Sequence, residues 1–498
     1  MHSSTTDWGL HWFRRDLRVP GNEALKINWK RCHGRTLGFF CFDSKFLSRS
    51  DFSHPRFAFF IKTLKALKQD LVEQGGDLLV IDCQPHEAFP KLIAFLKANN
   101  YSVPSLVTWN RDYEPFARHR DAQIEILLKT LNIETVHSRD HLLFEPHEIS
   151  KGNVSGDFYQ VYSPFARRWF EGLNSSTGQA RLKVFQNINE YYLKKNRQSD
   201  LFKMNWSDLT GIKNFPFPDA LEKFEVQTNE HINIPIPEAG FFEGFRRLMK
   251  FKEKLTHYKD ERDFPSLQAT SRFSLFLKNG SLTVPLIISA LELGTQNGKE
   301  ISGPTHFVKE LAWREFYYSV LYHRPEVETK SFLSVYENIA WENNKSLFQK
   351  WTDGTTGFPI VDAGMRELAQ TGWMHNRVRM IVASFLTKDL LIDWRWGENY
   401  FMKTLLDGDL APNNGGWQWA ASTGCDPQPY FRIFNPWLQS AKFDPEGIYI
   451  KQFVPELRLA PTASLHNPDA DRSRWGYPKP IVDHSIQRDK ALALYKRN

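Results

Sequence analysis

Cysteine is scarce in this 498-residue chain: Cys32, Cys41, Cys83 and Cys425 have neither the close paired spacing of a zinc site nor the density of a disulfide framework. A reducing compartment and no structural metal are therefore expected. Long apolar runs are missing too. None approaches the roughly 20 residues of a membrane span, and the opening MHSSTTDWGLHWFRRD has no apolar stretch of signal-peptide length. A cytoplasmic protein without a membrane partner is the expectation. No GxGxxG follows a strand and no GxxxxGK[ST] occurs, which removes the common dinucleotide fingerprint and the P-loop. No internal repeat is found.

Aromatic residues are plentiful. They make up 14% of the chain, within a hydrophobic share of 41%, enough to bury a substantial core. Nine of the sixteen tryptophans lie between Trp313 and Trp437, so the surplus is concentrated in the C-terminal half. The net charge of +7 leans toward a polyanionic partner, although on charge alone solvated lysines are the better explanation.

Periodicity divides the chain into three. Over 1–140, the runs WGLHWF, TLGFFCF, DLLVI and SLVTW read as buried strands, and Pro55 to Gln74, His86 to Asn99 and Arg118 to Leu131 have helical spacing. Strand and helix in alternation predict an α/β domain with a parallel, Rossmann-like sheet. Residues 141–235, with stretches such as KGNVSGDF and NINIPIPEAG, read as a connector with short helices. Residues 236–498 carry helical periodicity at 241–258, 304–323, 359–370, 373–391 and 397–406, predicting an all-α domain.

Four stretches of that helical half carry chemistry. In THFVKELAWREFYYSV, Glu310, Trp313, Arg314 and Tyr317 share one helical stripe, with a Glu310–Arg314 ion pair as the plain expectation. In TGWMHNRVRMIVASFL, Met374, Val378, Ile381 and Phe385 make a core face, while Asn376, Arg379, Met380 and Ala383 make a second face suited to a heteroaromatic edge or a phosphate. His375 reads as a structural histidine. Thr270, Ser271 and Ser274, with Arg272, stand where an apolar helix begins; one hydroxyl is explained by N-capping, and the group also suits a phosphate. DGDLAPNNGGWQW, 407–419, reads as a loop walling a large, flat, polar-edged ligand, since neither a solvated loop nor a buried core explains Asp, Asn, Gly and Trp together. These parts suit a dinucleotide held between helices, without singling out one heteroaromatic cofactor.

The stretches TGWMHNRVRMIVASFLTKDLLIDW, DGDLAPNNGGWQWAASTG and LAWREFYY, together with HWFRRDLRVPGNEAL near the start, closely resemble the photolyase and cryptochrome family, and within it the bacterial class I cyclobutane pyrimidine dimer photolyases. The resemblance implies an α/β antenna domain, a linker and an all-α FAD-binding domain, with UV-damaged DNA as partner and a monomeric, cytoplasmic enzyme. It assigns FAD binding to Tyr258, Thr270, Ser271, Arg272, Phe273, Ser274, Phe307, Glu310, Arg314, Trp373, Asn376, Arg379, Asp407, Gly408, Asp409 and Asn413. Asn413 matches the residue facing flavin N5, and Trp417, Trp394 and Trp341 match a three-indole electron chain. Trp313 and Trp419 correspond to an aromatic cleft for flipped bases, with Glu310 and Asn376 at the pyrimidine edges, Met380 in contact, and Arg262, Arg377 and Arg432 on the DNA backbone. Glu310, Asn376 and Asn413 are the expected catalytic set.

Phe307 stands where relatives often carry tryptophan, which keeps an aromatic wall. WNRDYEPFARHRD has Phe116 and Ala117 where folate-binding relatives carry an Asn-Glu pair, so a deazaflavin-type second chromophore is expected before a folate. The rival readings are a cryptochrome, which often extends well beyond this chain's end; a (6-4) photolyase, which favours histidines where Asn376 and Met380 stand; and a nucleic-acid-binding protein without redox chemistry, which leaves the aligned tryptophans unexplained.

Overall fold

The four apolar runs pair side by side in the computed structural model, which describes residues 7–42, 44–152, 157–193, 200–293 and 302–496; residues 153–156 of the KGNVSGDF stretch lie outside the described residues. They form β1 (Gly9–Trp12), β2 (Thr36–Phe42), β3 (Leu78–Asp82) and β4 (Leu106–Asn110), joined by β5 (Glu134–Ser138) in a sheet of order β3-β2-β1-β4-β5. Every pairing is parallel, with Leu10 opposite Leu37 on one side and Val107 on the other. These central strands are buried on both faces, which is why they appear as continuous apolar runs. β5, with the sequence ETVHS, is the half-exposed edge and needs no such run, so the sequence does not announce it.

Helices α1 (Glu23–Arg31), α2 (His54–Val72), α3 (Pro85–Ala98) and α4 (Pro115–Thr130) alternate with the strands. Proline opens α3 and α4 at the position where its missing N–H costs nothing. α1 is the helix that periodicity missed. Only Ala24, Leu25 and Asn28 of it are buried, and its start is fixed by Asn22, whose side chain accepts from the Leu25 N–H.

Strand order reverses between β1 and β4, and in open α/β sheets ligands settle at the carboxyl ends of the strands at such a reversal. Trp12 and Asn110 end those two strands. Trp12 Nε1 and Asn110 Oδ1 are buried without a hydrogen-bond partner, and the guanidinium groups of Arg14 and Arg120 lie 4.7 and 5.1 Å from the centre of the Trp12 ring. On the first turn of α4, Phe116 is exposed and Ala117 is buried.

The chain divides into two units, one drawn from Met1–Glu148, Arg168–Lys252 and Arg272–Lys299, the other from Ile149–Arg167, Glu253–Ser271 and Glu300–Asn498. The first holds the sheet. Helices Gly303–His323, Pro359–Thr371, Asn376–Ser384, Trp394–Thr404 and Leu410–Ala420 belong to the second, where Trp351, Met365, Ile381, Phe385, Trp394 and Trp417 share an apolar core.

Two expectations are corrected here. The helix foreseen over 373–391 is regular only across Asn376–Ser384, then widens into a π-turn at Phe385–Asp389. That turn places Lys388 and Asp389 inside, with Lys388 Nζ donating to Ser422 Oγ at 3.0 Å and Asp389 paired to His484 Nδ1 at 2.6 Å. The segment 407–419, expected as a loop, is mostly helix Leu410–Ala420. Pro412 falls in its first turn, where no backbone donor is needed, and packing of Ala411, Asn414, Trp417 and Ala420 outweighs the low helix propensity of the Asn-Asn-Gly-Gly run.

Candidate functional site

The polar stripe of Gly303–His323 does not pair with itself. Glu310 forms its ion pair with Arg262, and Arg314 Nη2 reaches Asp409 Oδ2 at 3.2 Å, so the expected i,i+4 pair gives way to partners on neighbouring segments. Burial alone would disfavour charge on Arg262, but Glu310 overcomes this and holds the guanidinium more firmly protonated than usual. Asp409 also accepts from the Tyr318 hydroxyl at 2.7 Å. With its carboxylate engaged there, Asp409 occupies the N-cap position of Leu410–Ala420 without making a side-chain cap bond.

On the next polar face, Arg379 donates to the Met374 carbonyl at 2.8 Å and to both oxygens of Asp407 at 3.1 and 2.8 Å. His375 caps the helix by accepting from the Arg377 N–H at 3.1 Å, the structural role expected of it. The core face is as foreseen: Met374, Val378, Ile381 and Phe385 are buried. Asn376 is exposed, and its amide lies 3.9 Å from Met380 Sδ. Arg377 pairs with Asp263 at 2.9 Å and lies over Phe443 at 4.2 Å, whereas Arg432 is exposed and joins none of these pairs.

The helix Leu410–Ala420 supplies a third surface. Asn413 Nδ2 donates to the Glu398 carbonyl at 3.2 Å, and Asn414 Nδ2 donates to Glu398 Oε1 at 3.0 Å. Burial, only partly offset by Asn414, pushes the Glu398 carboxyl up to about 8, so near neutral pH it is largely protonated. The two glycines differ. A Cβ on Gly415 would fall 2.1 Å from Tyr317 Cδ1, whereas one on Gly416 would meet nothing within 4 Å. Gly408 is buried between Asp407 and Asp409.

Tyr258 and Phe307 are buried and meet edge to face at 5.4 Å. Trp373 is buried, its N–H bonded to Thr371 Oγ1 at 3.1 Å. Thr270 and Ser271 end a segment of the second unit, and Thr270 Oγ1 is buried without a partner. Arg272, Phe273 and Ser274 open a segment of the first, and the hydroxyl cap expected there is absent: the cap position of Ser274–Asn279 is Phe273, and Ser274 already lies inside the first turn. Arg272 takes φ +54°, turning the chain just before the helix.

Trp394 and Trp417 are fully enclosed, and half-buried Trp341 packs against the same core, so the three indoles named by the resemblance share one apolar body. Trp313 and Trp419 are half-buried. Two side chains escaped sequence reasoning. Tyr162 stacks on Trp313, its ring 3.6 Å away and 10° from parallel, but it lies in a stretch of weak periodicity. Glu398 sits one helical turn after Trp394, and that spacing was a usable signal. No group of three or more metal-binding side chains occurs among the described residues, and no described helix is long and apolar enough to cross a membrane.

Residues 9–183 match a family described as DNA photolyase, and residues 307–497 match the FAD binding domain of DNA photolyase. The chain is 38% identical over 493 residues to a deoxyribodipyrimidine photo-lyase of Synechococcus, covering 98% of this chain and 96% of that protein. Among solved structures, a class III photolyase from Agrobacterium tumefaciens superposes with a TM-score of 0.80 at 32% identity, covering 100% of this chain and 98% of that one. An archaeal photolyase from Sulfolobus tokodaii, solved with two FAD molecules, gives a TM-score of 0.76 at 31% identity, covering 98% and 100%.

Proposed function

The chain belongs to the DNA photolyase family, and from that premise we propose that it repairs cyclobutane pyrimidine dimers in DNA by a light-driven, FAD-dependent reaction, as a carbon–carbon lyase. What carries this reading is the likeness along the whole chain to a deoxyribodipyrimidine photo-lyase. The second unit fits FAD on its own evidence: an open helix face at Gly416, a buried Thr270 hydroxyl without a partner, and two arginine–aspartate pairs able to hold polar ring and sugar edges. When bound in its reduced form, FAD supplies under illumination the electron that opens the cyclobutane ring and recovers it afterwards.

The chain's own residues bind, orient and exclude water. Tyr258, Thr270 and Ser271 hold phosphate. Phe307, Arg314, Trp373, Arg379, Asp407, Gly408, Asp409 and Asn413 form the rest of the cofactor pocket, and the Asn413 amide is fixed by its bond to the Glu398 carbonyl. Trp341, Trp394 and Trp417 carry an electron inward from the surface. A dimer inside a duplex has to leave the stack to reach such a site, at low cost because it already pairs badly. Trp313 and Trp419 stack its bases, Glu310 and Asn376 bond to their edges beside Met380, and Arg262, Arg377 and Arg432 face the backbone. By donating a proton or hydrogen bond to the pyrimidine, Glu310 would stabilise the charge that develops there. The ion pair with Arg262 fixes the position of the Glu310 side chain.

A second, light-harvesting chromophore of deazaflavin type fits the β1–β4 reversal, where Trp12 Nε1 and Asn110 Oδ1 lack partners. The enzyme works as a monomer in the cytosol. The test is an oligonucleotide with a single thymine dimer, incubated with reduced protein in blue light and in darkness. Repair confined to the illuminated sample supports the reading; lesion binding without repair would reassign the chain to light sensing.

A further inference from the structure

We propose that Tyr162 is a positioning residue for lesion recognition: it backs the Trp313 wall of the cleft and ties that wall to the segment following Trp419. This rests on the reading of Trp313 and Trp419 as base-stacking surfaces. The two rings lie 3.6 Å apart and 10° from parallel, so one face of the Trp313 indole is already covered and a base can take only the other. Tyr162 is itself held at several points. Its hydroxyl donates to the Lys309 carbonyl at 2.7 Å, one helical turn before Trp313. Phe316 stands edge-on to both rings, at 5.8 Å from Tyr162 and 5.6 Å from Trp313, with Phe165 packed against Phe316 at 5.3 Å.

The backbone makes the second tie. The Tyr162 N–H donates to Asp426 Oδ2 at 2.9 Å, and the Cys425 thiol donates to the Gln160 carbonyl at 3.1 Å. Two residues further on, the Gln428 N–H donates to the Trp419 carbonyl at 3.2 Å. The segment Gln160–Tyr162, which leads into the helix Tyr162–Asn174, is therefore fastened to both aromatic walls. An indole free to change rotamer loses that freedom when a base stacks on it, which weakens binding. An indole already clamped from behind loses little, so Tyr162 contributes affinity without touching the DNA.

The test measures dissociation constants in the dark for a thymine-dimer oligonucleotide and its undamaged counterpart, with repair yield at saturating DNA and bound-FAD absorbance as companion readings. Tyr162→Ala is expected to bind the dimer about tenfold more weakly, since it removes an aromatic pair and frees a side chain. The loss falls on affinity, with undamaged DNA bound as before, FAD retained, and yield at saturation preserved. Tyr162→Phe, which keeps the ring and loses the Lys309 bond, restores most of the affinity. Asp426→Ala weakens dimer binding by about threefold through the backbone tie. Unchanged dimer affinity in Tyr162→Ala overturns the proposal. Tighter binding overturns it as well, because the tyrosine would then be a plug standing in the place of a base. FAD loss that Tyr162→Phe fails to restore would make the role one of folding only. Absence of light-dependent repair by the unmodified protein refutes the functional reading instead, and is seen separately.

Discussion

Gly415 and Gly416 are consecutive residues on one helix, and the structure assigns them opposite responses to the same change. Alanine at Gly415 would place a methyl 2.1, 2.5 and 2.6 Å from three ring carbons of Tyr317, a ring hemmed in by Trp313 at 5.6 Å. Overpacking of this kind costs about 1–3 kcal/mol, against a gain of at most about 1 kcal/mol from replacing glycine inside a helix. Gly415→Ala should therefore lower stability with or without cofactor. At Gly416 nothing lies within 4 Å, so only the helix gain of about 0.5–1 kcal/mol applies to protein stripped of FAD. If that open face receives the cofactor, the added methyl intrudes on it, and FAD affinity should fall by roughly 10- to 100-fold. The assay is denaturant unfolding of the stripped variants followed by titration with FAD. FAD binding by Gly416→Ala as tight as that of the unmodified chain, or a Gly415→Ala more stable than Gly416→Ala, would contradict this assignment.

Other consequences can be measured as directly. The Glu398 carboxyl, pushed up from 4.5 to about 8, keeps its proton in the folded protein after the unfolded chain has lost its own, so stability falls as pH rises from about 4.5 to 8. The loss is up to about 5 kcal/mol, and Glu398→Gln should flatten the slope; parallel slopes for the two proteins in unfolding between pH 5 and 8 would contradict it. Glu310→Ala removes the closer of Arg262's two acidic partners, Glu310 and Asp263, so repair yield should drop while binding to undamaged DNA holds or strengthens and its salt dependence steepens by about one phosphate contact. A weaker salt dependence would count against that arrangement. Trp341→Phe should block light-driven reduction of the oxidised cofactor yet spare repair by chemically reduced enzyme, and unchanged photoreduction would remove Trp341 from the electron path.

Much of this architecture is legible in the chain because burial leaves a periodic trace. β2 coincides with TLGFFCF, and the helix Gly303–His323 begins within a residue of its predicted start. Legibility fails where tertiary contacts outvote local preference. β5 and α1 are too polar to stand out, and DGDLAPNNGGWQW has the composition of a loop until the packing of Trp417 and Asn414 makes most of it helical. Within the candidate site, the sequence names side chains but does not say which of them pair. Glu310 and Arg314 look like a natural pair along one helix, but Arg262 and Asp409 reach them from segments 48 and 95 residues away in sequence. Tyr162 is invisible for the same reason, since nothing in YQVYSPF says which indole its ring will cover.

The central claim is that the helical unit holds an FAD whose electron repairs DNA. It is tested most directly by stripping the protein of cofactor, adding back FAD in steps, reducing it, and counting dimers repaired per chain under blue light. Repair that is absent at the start, rises in proportion to FAD taken up and levels off at one cofactor per chain is the predicted result. Repair by the stripped protein, or full occupancy by FAD with no repair in light, would contradict it.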